Sequence, residues 1–183
     1  MLNRRNWVVL FVSLLMVASL AACMAAPVAV PDRPIEVSVD TALAAQGKLG
    51  NLMMGGVEWT EEEFSSLLSV LLEQNSGENN PVEAINVWFE PNNQVVAQVD
   101  LKPGVLPAAV GDTLVLAGTI GVENNHVVVN LEQAGAGNVS ISGAMLAPIN
   151  QQINAALSDP SMGVAANVST DTGTINVTLG GGM

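Results

Sequence analysis

Between residues 82 and 132 four strand-like runs follow one another, joined in two pairs by asparagine turns with a loop holding Pro103 and Pro107 between the pairs, a pattern that suits an antiparallel sheet. Residues 82–90 (VEAINVWFE) and 94–101 (QVVAQVDL) flank Pro91-Asn92-Asn93, a hairpin signature. Residues 113–122 (TLVLAGTIGV) and 126–132 (HVVVNLE) flank Asn124-Asn125 in the same way. Val127, Val129 and Leu131 alternate with His126, Val128, Asn130 and Glu132, so one face of the sheet is expected to be more buried. Further strands are predicted at Ile35–Val39, at 139–142, and at 164–169 and 174–179 around the turn Asp171-Thr172-Gly173. Ala134 to Asn138 reads as a loop.

Two segments carry helical spacing instead. Thr60-x-x-Glu63 is a capping box, and Trp59 and Phe64 stand where a hydrophobic staple forms. Glu61, Glu62 and Glu63 suit the positive end of the helix dipole and need no further role. Phe64, Leu67, Leu68, Leu71 and Leu72 continue as one apolar stripe, so a helix is predicted from about 61 to 74, stopping at Asn75-Ser76-Gly77. In residues 144–158, Leu146, Ile149, Ile153 and Leu157 share a face, and Gln151, Gln152 and Asn154 the opposite one. Pro148 fits the first turn and places the start near 146 or 147. Thr41 to Gly56 is broken by glycines at 47, 50, 55 and 56 and reads as an irregular segment that can still pack. Helix, meandering strands, helix and hairpin make an α+β pattern, with an antiparallel sheet and helices on one face.

The N-terminus carries an address. Arg4 and Arg5 precede an uncharged apolar run from Trp7 to Leu20, followed by Leu20-Ala21-Ala22-Cys23. This is the layout of a secretory signal, and the last four residues look like a bacterial lipobox, in which the cysteine is acylated and becomes the new N-terminus. The run is shorter than the roughly 20 apolar residues of a spanning helix. Asn3-Arg4-Arg5-Asn6-Trp7 is a poor twin-arginine pattern. The expected organisation is a signal peptide over 1–22, a lipidated tether over 23–34 and a single domain over 35–183. Cys23 is the expected lipid attachment site, on the extracytoplasmic face of a membrane in a bacterial cell envelope.

Beyond Cys23 the chain keeps Arg33, Lys48 and Lys102 against 17 carboxylates, a balance of −14. Such a surface repels phosphate, which excludes nucleic acid as a partner, and it repels anionic head groups, so attachment to the membrane falls to the acyl chains. Chemistry finds little material. His126 is the one histidine and stands beside a turn, without the partners of a triad. One cysteine and one histidine cannot build a zinc site. Gly135-Ala136-Gly137 has neither Rossmann spacing nor a P-loop lysine. No enzyme, metal or cofactor is expected.

Residues 59–68 (WTEEEFSSLL), 141–157 (ISGAMLAPINQQINAAL) and 168–179 (VSTDTGTINVTL) together resemble the LmeA-like phospholipid-binding family of bacterial envelope proteins, and small lipoproteins of the tubular lipid-binding superfamily. The resemblance spans about 58–180. It implies a long curved antiparallel sheet wrapped around a helix, with an apolar tunnel for acyl chains and no catalytic residues. On that reading Leu67, Leu71, Ile149, Ile153 and Leu157 face Val127 and Val129 around one apolar space, and the ligand is a phospholipid or another acyl compound. The alternative is a structural or protein-interaction lipoprotein with a filled core and an acidic binding face.

Overall fold

The computed structural model describes residues 28–76, 81–105, 111–137, 139–142, 146–157 and 165–179. Its elements, in chain order, are α1 (Val39–Lys48), a 3-10 turn (Leu49–Met54), β1 (Val57–Thr60), α2 (Glu61–Ser76), β2 (Val82–Glu90), β3 (Gln94–Leu101), β4 (Thr113–Glu123), β5 (His126–Ala136), β6 (Val139–Ser142), α3 (Ala147–Leu157), β7 (Ala165–Asp171) and β8 (Thr174–Leu179). The fold is α+β, with a curved open sheet and antiparallel pairing throughout. β2 to β6 form a five-stranded meander in sequence order, and β1, β8 and β7 form a second, three-stranded sheet.

Local chemistry explains the meander. Asn92, Asn93, Asn124 and Asn125 all adopt left-handed φ between 51° and 65°. Asparagine tolerates that region, and two such residues in succession give the turn twist that antiparallel strands require. The register pairs Phe89 with Val95, Ala97 with Leu116 and Ile120 with Val129, so the apolar sets of four strands share one face. A bulge between Ala117 and Gly118 shifts the pairing with β5. Gly118 is required there, because an added Cβ would meet the Asn130 carbonyl and the Leu131 backbone.

The capping box forms as expected. Glu63 N donates to Thr60 Oγ1 at 3.2 Å, and Thr60 N donates to Glu63 Oε2 at 3.0 Å. Lys48 Nζ adds a salt bridge to Glu63 Oε2 at 2.6 Å. Burial alone pushes the Glu63 carboxyl up, but the bonds from Lys48 and Thr60 outweigh it and hold the group below the ordinary carboxylate range. The staple also forms, with the Trp59 and Phe64 rings 6.3 Å apart.

Several segments differ from expectation. Ile35–Val39 is not a strand: it runs extended to Ser38, where the hydroxyl accepts from Thr41 N at 3.1 Å and caps α1. Its alternation does not mark a buried face, since Val37 and Val39 are exposed. Thr41 to Gly56 is mostly helical despite its glycines. Ala42 and Ala45 are buried between α1 and its neighbours, and Trp59 Nε1 donates to Ala45 O at 3.1 Å, so tertiary packing offsets the poor propensity. β5 continues through Ala136 where a loop was expected, because β4 and β6 pair with it on both sides. The segment read as tether is partly built into the domain: Trp88 Nε1 donates to Arg33 O at 2.8 Å, and Arg33 bonds Glu61 and Glu90.

The core divides into two clusters. The first joins the two sheets with α1 and α2, through Ala45, Val57, Trp59, Leu67, Val87, Phe89, Val168 and Ile175. The second lies beneath α3 and comprises Leu131, Ala134 and Leu146, with Leu116, Val129 and Ile153 packed against it.

Candidate functional site

The expected ligand residues separate between these clusters. Leu67 is buried in the first, and Val127 packs partly against it. Val129 and Ile153 belong to the second. Leu71 is 39% and Ile149 44% exposed, so neither faces an interior space. Leu157 closes α3, but its side chain, like the whole of Cys23, lies outside the described residues. Among the described residues the two helices serve different parts of the sheet and enclose no common apolar space.

The reason lies on the sheet-facing side of α3. Leu146, Asn150, Ile153 and Asn154 follow i, i+4, i+7, i+8 spacing, which makes one face and turns Ile149 toward solvent. The two asparagines face the sheet as well, contrary to the expectation for Asn154. Its Oδ1 accepts from Val129 N at 2.8 Å while its Nδ2 donates to Val129 O at 2.9 Å. Asn150 does the same to Leu131, at 2.7 Å and 3.0 Å. A carboxamide has the donor and acceptor of a peptide group, so α3 completes the free edge of β5 as a neighbouring strand would.

The opposite edge of the meander is closed by the same device. Val87 N donates to Ser65 Oγ at 2.9 Å, and Phe89 N donates to Glu61 Oε1 at 2.8 Å. Glu61 and Ser65 again stand four apart on a helix, and both are buried. Glu61 is therefore more than a dipole partner. Its carboxylate also accepts from Arg33 Nη2 at 2.8 Å, and Arg33 spans to Glu90 at 2.9 Å. The bond to Glu61, opposed by a smaller cost of burial and helped by Glu90, raises the guanidinium above its ordinary value and keeps it charged. The Asp171–Thr174 turn completes this corner, with Gly173 N donating to Phe89 O and Glu61 N to Gly173 O, each at 3.1 Å. These groups are occupied by one another, and they hold the two sheets together.

Among the described residues, two concavities lie on the exterior. A small apolar groove of about 110 Å³ runs between α1 and α2, lined by Val39, Ala42, Leu43, Leu67, Val70 and Leu71. A wider cleft of about 500 Å³ lies over the β4–β5 hairpin, between the Asn92-Asn93 turn and Asn154 of α3. His126 begins β5, is partly buried, and has its Nδ1 buried without a hydrogen-bond partner among the described residues. Among the described residues no three His, Cys, Asp or Glu side chains are grouped to hold a metal ion, and no helix is long and apolar enough to cross a membrane. No family model, curated protein or solved structure matches this chain.

Proposed function

We propose that the chain is a membrane-anchored lipoprotein of a bacterial cell envelope, and that its domain works by binding at its exterior and not by catalysis. The observation that supports an exterior role is that the centres of both core clusters are fully enclosed. Phe89 and Leu146 are 0% exposed and Ile175 is 1% exposed, with Phe64 packed edge-on against Phe89 at 5.2 Å. Side chains enclosed in this way occupy space that an acyl chain would need. The anchor rests on Leu20-Ala21-Ala22-Cys23. Two or three acyl chains on Cys23 hold a protein firmly, whereas one is marginal. Cys23→Ser is expected to abolish incorporation of radioactive palmitate and to leave the precursor uncleaved; normal labelling of that variant removes the anchor.

The tubular lipid-binding reading competes with the filled-core reading. The exposed apolar rim of the α1–α2 groove, Val39, Leu43 and Leu71, favours it. Against it, a groove of about 110 Å³ falls short of the roughly 300–1,000 Å³ of small-molecule pockets. Ile153→Trp separates the two. In a filled second cluster the added volume overpacks and costs about 1–3 kcal/mol, read as a lowered melting temperature. Native mass spectrometry of the detergent-solubilised chain is expected to show no non-covalent lipid. A bound lipid that Ile153→Trp displaces at unchanged melting temperature establishes the tunnel instead.

A further inference from the structure

Gly121 sits in the interior of β4, paired with Val128, and nothing lies within 4 Å of the position its Cβ would occupy. Its backbone is not in the left-handed region, so no conformational demand explains the glycine. Gly118, three residues earlier, shows the contrast, since packing against β5 forbids a side chain there. A glycine inside a strand weakens it and often marks a bulge, a bend or a place where a ligand or another backbone approaches closely; the bulge of this strand pair lies at Ala117 and Gly118, not at Gly121. Gly121 also lines the cleft of about 500 Å³, a volume within the range of small-ligand sites.

The lining defines the chemistry. Asn92 and Asn93 border the cleft on the β2–β3 turn, Asn130 and Asn154 border it on the α3 side, and Thr119 is the register partner of Asn130. Asn93 Oδ1 already accepts from Thr170 N, and Asn154 is engaged with Val129, so both are held in place. The Asn92, Thr119 and Glu123 side chains make no hydrogen bond or ion pair with other described residues. Amides and hydroxyls each donate and accept, which matches a ligand rich in hydroxyl groups. Glu123 is the one charged lining residue, and with a balance of −14 beyond Cys23 it disfavours anions. Val128, the register partner of Gly121, supplies apolar surface for a C–H face. An extended peptide is disfavoured, because peptides bind sheet edges through main-chain groups and those of β5 are taken by Asn150 and Asn154.

We propose that this cleft binds a neutral saccharide, laid over Gly121 and held by the Asn92 and Thr119 side chains. The proposal does not rest on lipidation or on the filled core. The test is calorimetric titration of the full chain in detergent micelles with neutral oligosaccharides, chitotetraose and maltotetraose, and with an uncharged tetrapeptide as control. Saturable binding of one saccharide is expected. Gly121→Val is expected to weaken it at least about tenfold with no loss of melting temperature, because the side chain enters the cleft and not the core. Asn92→Gly removes the amide while preserving the left-handed turn, and is expected to weaken binding about 2–10-fold, the value of one hydrogen bond. The proposal is overturned by absence of binding for both saccharides up to about 10 mM, by tetrapeptide binding in their place, or by unaltered affinity in either variant.

Discussion

Glu61→Ala is expected to destabilise the fold by about 3 kcal/mol, far more than an exposed glutamate in a first helical turn would. Glu61 is 7% exposed, and its carboxylate accepts from Phe89 N and from the Arg33 guanidinium, both at 2.8 Å. Its removal leaves the Phe89 amide without an acceptor at the sheet edge, and a hydrogen bond to a charged group is worth about 1.5–3 kcal/mol. The Arg33 share is smaller, because that side chain is 35% exposed and keeps Glu90. Glu61→Gln retains a carbonyl oxygen for Phe89 N and is expected to recover about half the loss. Urea denaturation measures both. Much of the loss should persist at about 1 M salt, since a buried amide bond is not screened as surface pairs are. A cost within about 0.5 kcal/mol of zero, typical of surface sites, removes Glu61 from the sheet edge and returns it to a dipole role.

Phe89→Ala is expected to have the largest effect, about 3–5 kcal/mol. The ring is fully buried where β2, α2 and the second sheet meet, and it packs edge-on against Phe64, which in turn meets Trp59. Truncation removes the buried ring, opens a cavity that three elements border, and leaves Phe64 without its partner. A melting-temperature drop of about 10 °C or more follows for a domain of this size. Phe89→Leu fills most of the same volume and is expected to cost less than half as much. If the alanine variant melts near the wild type, the first cluster is not the core that joins the sheets.

What could be read ahead of the structure follows from how far each signal reaches. The hairpins at Pro91-Asn92-Asn93 and Asn124-Asn125 and the capping box at Thr60 are contained in a few residues each, and all three form. α1 was hidden because its glycines lower local propensity, while the burial of Ala42 and Ala45 that rescues it comes from other elements. β1 went unseen because its four residues have meaning only beside β8, at the far end of the chain. Glu61 with Ser65 and Asn150 with Asn154 did carry a signal: polar pairs four apart beside apolar stripes. Read alone, such pairs look solvent-facing, and only the neighbouring strand edge reveals them as its missing partners.

The site divides along the same line. Sequence alone determined the α+β class, the antiparallel pairing, the entry into α2 and the residues available for chemistry, because dihedral preference and burial period are local properties. The structure decided that Leu67 and Val127 belong to one core and Val129 and Ile153 to another, that Leu71 and Ile149 face outward, and that Gly121 lines a cleft. Those outcomes depend on where one helix lands on a sheet edge relative to another. That distance is set by packing among segments remote in the chain, and no local pattern records it.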